Sequence, residues 1–205
     1  MSTTFEVYPR HTRIPTFNEL LTAANRTLKS RLANIGAKAQ LSVDMRKSNG
    51  DDLMPLELDS PMSWDIDESY AWFVVPTVAG GTDGYFEQVD DLTREVWSDY
   101  LKMERLSPMS ETVSQCLETG HYWTFRRSAG QPGIINLSYG LLAGCLAELT
   151  DGFVFSDDSA WVFDLLPMTG NEFLKRYFVP GGTENSDAEE WTSRCLGWIP
   201  EELSG

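Results

Sequence analysis

Histidine is almost missing from this chain, with His11 and His121 the two in 205 residues. A general base that works near neutral pH is most often histidine, so the inventory for acid–base catalysis is thin. Cysteine is nearly as sparse. Cys116, Cys145 and Cys195 lie far apart, form no C-x-x-C pair and, being odd in number, close no disulfide framework. They read as small core residues, and a reducing cytoplasm is the expected compartment. Bases are also few: 16 Lys and Arg stand against 31 Asp and Glu, a formal net charge of −15. That balance excludes a protein that wraps nucleic acid through its phosphates and favours a basic partner. There is no apolar run long enough to span a bilayer, and the N-terminal MSTTFEVYPRHTR lacks the apolar core of a signal peptide. A soluble, unexported chain with no membrane partner is expected.

Chemical motifs are missing too. The chain has no H-E-x-x-H, no Cys/His cluster and no D-x-[DN]-x-[DN]-G calcium loop, so no metal is expected. Asp65, Asp67 and Glu68 could hold a divalent ion weakly but read better as a solvated turn. The glycines of GGTDG lack the Lys-Ser/Thr of a phosphate loop and open onto no G-x-G-x-x-G, so no nucleotide or other cofactor is expected either. Asp157 and Asp158 bear comparison with paired-carboxylate chemistry, but neighbours in a turn point apart and glycosidase pairs come from separate elements. Capping of that turn by Ser156 or Asp157 is the preferred reading.

What is present is ordinary globular composition, 41% hydrophobic, 12% aromatic and 23% charged, without internal repeats or a long linker. A single α+β domain over residues 1–205 is expected, its sheet mixed or antiparallel, with residues 181–205 a loosely docked tail. FEVYP alternates as a strand. A helix over 16–35 carries a capping box at Thr16 and Glu19 and is stopped by Gly36. Residues 39–45 alternate as a half-buried strand, and 53–58 make an edge strand interrupted by Pro55. Residues 70–79 are the strongest strand, placed centrally. GGTDGYFE reads as a loop or hairpin tip running into a helix over 89–106. A short helix within 108–120 leads to the strand 121–127, whose His121, Trp123 and Phe125 share one face. Residues 134–149 form a buried helix whose Gly140, Ala143, Gly144 and Ala147 admit a close neighbour. A short strand, a turn at 156–159, a possible further strand and a helix over 169–178 follow.

Charge is unevenly spread. Residues 51–99 hold thirteen acids and one base, Arg94, a local net of 1 − 13 = −12. Acids so concentrated serve either dispersal in water or a basic partner. Aromatics among them suit interface anchoring, since Trp and Tyr bring large contact area at little rotamer entropy. Trp64, Tyr70, Tyr85 and Phe86 are the anchor candidates.

GHYWTFRRSAGQPG and LSYGLLAGCLAELTDGFVFSDDSAWVFDLLPMTGNEFLKRYF, within residues 120–178, resemble the C-terminal half of immunity protein family 52 of bacterial polymorphic toxin systems. The shared features are Trp123 with Phe125, the helix ending at Thr150, Asp151 and Gly152, and the S-D-D-S-A-W run holding Ser156, Asp157, Asp158 and Trp161. The resemblance implies an α+β protein without catalysis. Such a protein binds and neutralises a nuclease toxin of restriction-endonuclease fold, delivered between bacteria by a type VI-like secretion route. Because those motif residues look structural, partner contacts are assigned to Trp64, Asp65, Asp67, Glu68, Asp83, Tyr85 and Glu87, with acids pairing toxin Lys and Arg. The protein itself is expected to be a monomer or weak homodimer. Two rivals stay open: a hydrolase using Asp157 and Asp158 or His121, and a structural or adaptor protein of a phage or secretion apparatus.

Overall fold

In the computed structural model, which describes residues 2–50 and 52–204, one sheet carries eight strands. In chain order these are β1 (Thr3–Tyr8), β2 (Ser42–Lys47), β3 (Leu53–Met54), β4 (Ser69–Val74), β5 (Thr82–Gln88), β6 (His121–Arg127), β7 (Phe153–Phe155) and β8 (Met168–Thr169). Their spatial order is β3-β2-β4-β5-β6-β1-β7-β8, and every neighbouring pair is antiparallel. The helices are α1 (Phe17–Ala33), α2 (Asp91–Tyr100), α3 (Ser110–Leu117), α4 (Gly133–Leu149), α5 (Gly170–Arg176) and α6 (Ser186–Glu202). The fold is a single α+β domain with an antiparallel sheet. Among the described residues, no helix is long and apolar enough to cross a membrane.

Strand alternation splits the sheet into two faces. Phe5 and Val7 of β1, Ala71 and Phe73 of β4, and Trp123 and Phe125 of β6 all point to one side and are buried. Across that side lies α4, with the Phe5 ring stacked on Tyr139 at 4.6 Å. In turn α1, α5 and α6 pack on α4, so every residue from Gly133 to Ala147 is buried, as its all-round apolar sequence requires. Gly140 lets α5's neighbour Tyr177 sit on the helix, since a Cβ there would lie 2.2 Å from the Tyr177 ring. The capping box of α1 forms as expected, Thr16 accepting from the Glu19 amide at 3.2 Å and Glu19 from the Thr16 amide at 2.9 Å.

Four expectations are corrected. GGTDGYFE is no hairpin tip: Thr82–Gln88 is the central strand β5. Its Gly84 serves close approach rather than turning, because a Cβ there would lie 2.9 Å from the Phe73 ring. The helix over 89–106 ends at Tyr100 and gives way to a 3-10 segment at Glu104–Met109. Tertiary anchors redirect the chain there, Trp97 and Tyr100 being held against Phe155 while Leu106 is buried and Arg105 donates to the Leu166 carbonyl at 2.6 Å. After the 156–159 turn the next ladder is β8, and residues 163–165 form a 3-10 turn. Residues 181–204 are held more firmly than a loose tail. There α6 buries Thr192, Cys195 and Ile199, and Glu202 accepts from the Gly133 and Ile134 amides at 2.7 and 3.0 Å. That carboxylate caps α4, whose own N-cap, Pro132, offers no side-chain acceptor.

A candidate acidic and aromatic binding face

The second face of the sheet is only partly covered. Trp97 is the single buried side chain of α2 and seats that helix over β1 and β7, its ring 5.4 Å from Tyr8, 5.3 Å from Phe153 and 4.6 Å from Phe155. Beneath it, Phe153, Tyr8 and Tyr122 stack in sequence across the neighbouring strands β7, β1 and β6, at 5.1 and 4.9 Å with interplanar angles of 20° and 12°. The i, i+4, i+8 set Leu92, Val96 and Tyr100 of α2 faces the same space, so a cleft of about 240 Å³ opens between helix and sheet. Glu6 and Asp157 also line it. A neighbouring hollow of about 480 Å³, lined by Trp64, Asp65, Glu87 and Asp90 among others, shares Tyr122 as a common wall.

Each of three carboxylates along this face accepts from a tyrosine hydroxyl. Tyr8 donates to Glu6 at 2.7 Å, Tyr100 to Asp157 at 2.8 Å and Tyr122 to Glu87 at 3.0 Å, and Glu87 accepts from Thr124 as well. No Lys, Arg or His is among the described residues that line either hollow. Glu6, Asp157 and Glu87 are thus held by hydroxyl groups. Burial pushes the Glu6 carboxyl up from 4.5 to about 7; the Tyr8 hydrogen bond opposes the shift, and the nearby Asp157, Glu87 and Asp158 add to it. Burial, and then the bond to Asp157, pushes the Tyr100 phenol up to about 12, so it stays protonated and remains a donor.

The residues expected to contact a partner do not all gather here. Trp64, Asp65 and Glu87 line one hollow together. Trp64 is no protruding anchor, however. Its ring stacks on Phe17 at 5.5 Å and its indole N–H is buried without a hydrogen-bond partner among the described residues. Asp83 lies 3.9 Å from Arg126, and both Arg126 and Arg46 offset the burial that raises its carboxyl, so its charge is answered within the chain. Tyr85 tilts against Tyr70 at 6.1 Å, on the same face but outside both hollows. Asp67 and Glu68 are exposed in a turn, where the Asp67 amide donates to Asp65 Oδ1 at 2.9 Å.

The motif residues have local structural duties. Trp123 and Phe125 are core, and the Trp123 indole donates to the Met62 carbonyl at 2.7 Å, tying down the acidic loop. Asp151 sits at φ 51°, and a Cβ on Gly152 would lie 2.1 Å from the Tyr8 carbonyl oxygen. Ser156 donates to Asp158 Oδ1 at 3.0 Å and accepts from the Ala160 amide at 3.4 Å. Asp157 turns instead to Tyr100, so the two neighbouring acids diverge. His121 packs on the helix-covered face against Phe86 and Trp123, and burial lowers its pKa. Trp161 edges onto Phe173 and Tyr177. Among the described residues, no group of three or more His, Cys, Asp or Glu is placed to hold a metal ion.

Sequence reasoning missed Glu6, Tyr8, Asp90, Trp97, Tyr100 and Tyr122. One signal was available: Glu6 and Tyr8 alternate with Phe5 and Val7, which puts an acid and a phenol side by side on the face away from the core. Comparison with protein-family models, curated proteins and solved structures returned no match to this chain.

Proposed function

We propose that this protein neutralises a basic bacterial toxin, of the nuclease type that the family resemblance implies, by binding it across the acidic and aromatic face rather than by catalysis. The observation that carries the reading is the pair of adjoining hollows whose carboxylates meet no base among the described residues of their walls. A nuclease that grips DNA needs a basic cleft, and opposed fields speed encounter and select the partner. Exposed Leu92 and Val96 add apolar contact at the rim. The three cysteines are free and buried, which suits action in a reducing cytoplasm.

The test uses the full chain and the candidate toxin encoded beside it. The wild type is expected to form a stoichiometric complex that blocks DNA cleavage and weakens as salt rises. Asp65 and Asp157 are both exposed, and one lies in each hollow. Reversing both to Lys should lower affinity about 10- to 100-fold and flatten the salt dependence. Unchanged affinity in the reversed variant, or no complex with any such toxin, refutes the proposal.

A further inference from the structure

We infer that the cleft between α2 and the sheet is a receptor for one arginine side chain presented by a basic protein partner. The inference rests on the proposed docking face and names the chemical group that would enter it. The cleft's volume of about 240 Å³ suits one extended side chain. It is too small for a helix, which measures about 10–12 Å across with its side chains.

Three features of the cleft select the occupant. First, its walls are aromatic, Tyr100 and Tyr122 standing partly exposed above the buried Tyr8 and Trp97. A flat guanidinium stacks on such rings and keeps its N–H groups free in its own plane. Second, Glu6 offers an acceptor with no rival. Its Oε2 takes the Tyr8 hydroxyl, while Oε1 receives no donor and the carboxylate meets no cation among the described residues. Asp157 supplies a second acceptor at the same cleft, held in place by Tyr100. Third, Leu92 and Val96 lie exposed on α2, where they would cover the aliphatic stem of the incoming residue. A carboxylate whose charged form is disfavoured by burial regains that form when a cation arrives, so binding and proton release are linked.

The probe is N-acetyl-arginine N-methylamide, compared with its citrulline and lysine analogues, titrated into the full-length protein and followed by amide and indole NMR. Citrulline keeps the shape and loses the charge. The arginine probe should give saturable shifts centred on the Trp97 indole and the Tyr8 and Tyr122 amides, with citrulline silent and lysine weaker. Between about pH 8 and pH 6 arginine affinity should fall about tenfold, following the ionisation of a group near pH 7. E6Q should bind more weakly and lose that pH dependence. Shifts elsewhere, equal shifts with citrulline, or tighter binding of lysine overturn the assignment. The titration contains no toxin, so its failure leaves the neutralisation test standing, and a failed toxin complex leaves this result readable.

Discussion

Replacing Glu6 with Gln should make this protein more stable above neutral pH and leave it unchanged in acid. The wild-type carboxyl is raised by burial from 4.5 to about 7, so the folded chain holds this proton more tightly than the unfolded chain. Below about pH 4.5 both states are protonated and the site costs nothing. Between about pH 4.5 and pH 7 the folded chain binds more protons, and stability therefore falls as pH rises. Above that window the full cost applies, about 3 kcal/mol at about 1.4 kcal/mol per pH unit. Gln carries no charge and keeps a carbonyl oxygen to accept the Tyr8 hydroxyl, so it removes the cost and keeps the hydrogen bond. Urea unfolding followed by tryptophan fluorescence reads the difference between variant and wild type at about pH 4 and about pH 8. A rise in midpoint of about 1 M urea at the higher pH, and none at the lower, is expected. Other carboxylates titrate in both proteins and largely cancel. A difference that does not change with pH, or a variant less stable at about pH 8, would refute the reasoning about Glu6.

Truncating Trp97 to Ala removes the one buried side chain of α2 and should cost about 3–5 kcal/mol in denaturant unfolding, with loss of arginine binding. A cost below about 1 kcal/mol would mean that α2 is held by something else. Removing the Glu202 carboxylate as Ala should cost about 1–2 kcal/mol and speed hydrogen exchange at the Gly133 and Ile134 amides it caps. Unchanged exchange at those two amides would show that solvent or another group caps α4 equally well.

Much of the architecture was legible wherever one physical signal acted alone. The capping box at Thr16 and Glu19, the alternation of Trp123 and Phe125 with Tyr122 and Thr124, and the all-round apolar helix over Gly133–Leu149 each depend on short-range sequence pattern. The strand β5 was hidden because Gly81 and Gly84 look like turn residues. In the structure both are small so that β4 side chains can lie against them, Trp72 over Gly81 and Phe73 over Gly84. That requirement is a tertiary contact, invisible in a run of GGTDG. The end of α2 at Tyr100 was hidden for a similar reason, since Phe155 and Asp157 lie more than fifty residues away in sequence. The site itself was half legible. Composition placed the acids, and three of the expected contact residues do share a hollow, but Glu6 and Asp157 come from outside the acidic segment and converge only through strand order.

That convergence bears on why the chain is acidic at all. Charge that serves only to keep a protein dispersed is cheapest on exposed turns, and Asp67, Glu68 and Asp59 are placed there. Glu6 is placed differently. It is half-buried beside an aromatic stack, it meets no cation among the described residues, and burial disfavours its ionised form, so the charge adds little to solubility and is expected to carry a cost in folding. A neutral side chain of similar shape would keep the Tyr8 hydrogen bond without the penalty. On the proposed reading, the carboxylate at this position serves what enters the cleft rather than what the isolated fold requires. Asp83 supplies the contrast within the same sheet face: it too is raised by burial, but Arg126 and Arg46 answer its charge, and it lies outside both hollows. Asp83 is met by bases from its own chain, and on the proposed reading the base for Glu6 comes from the partner.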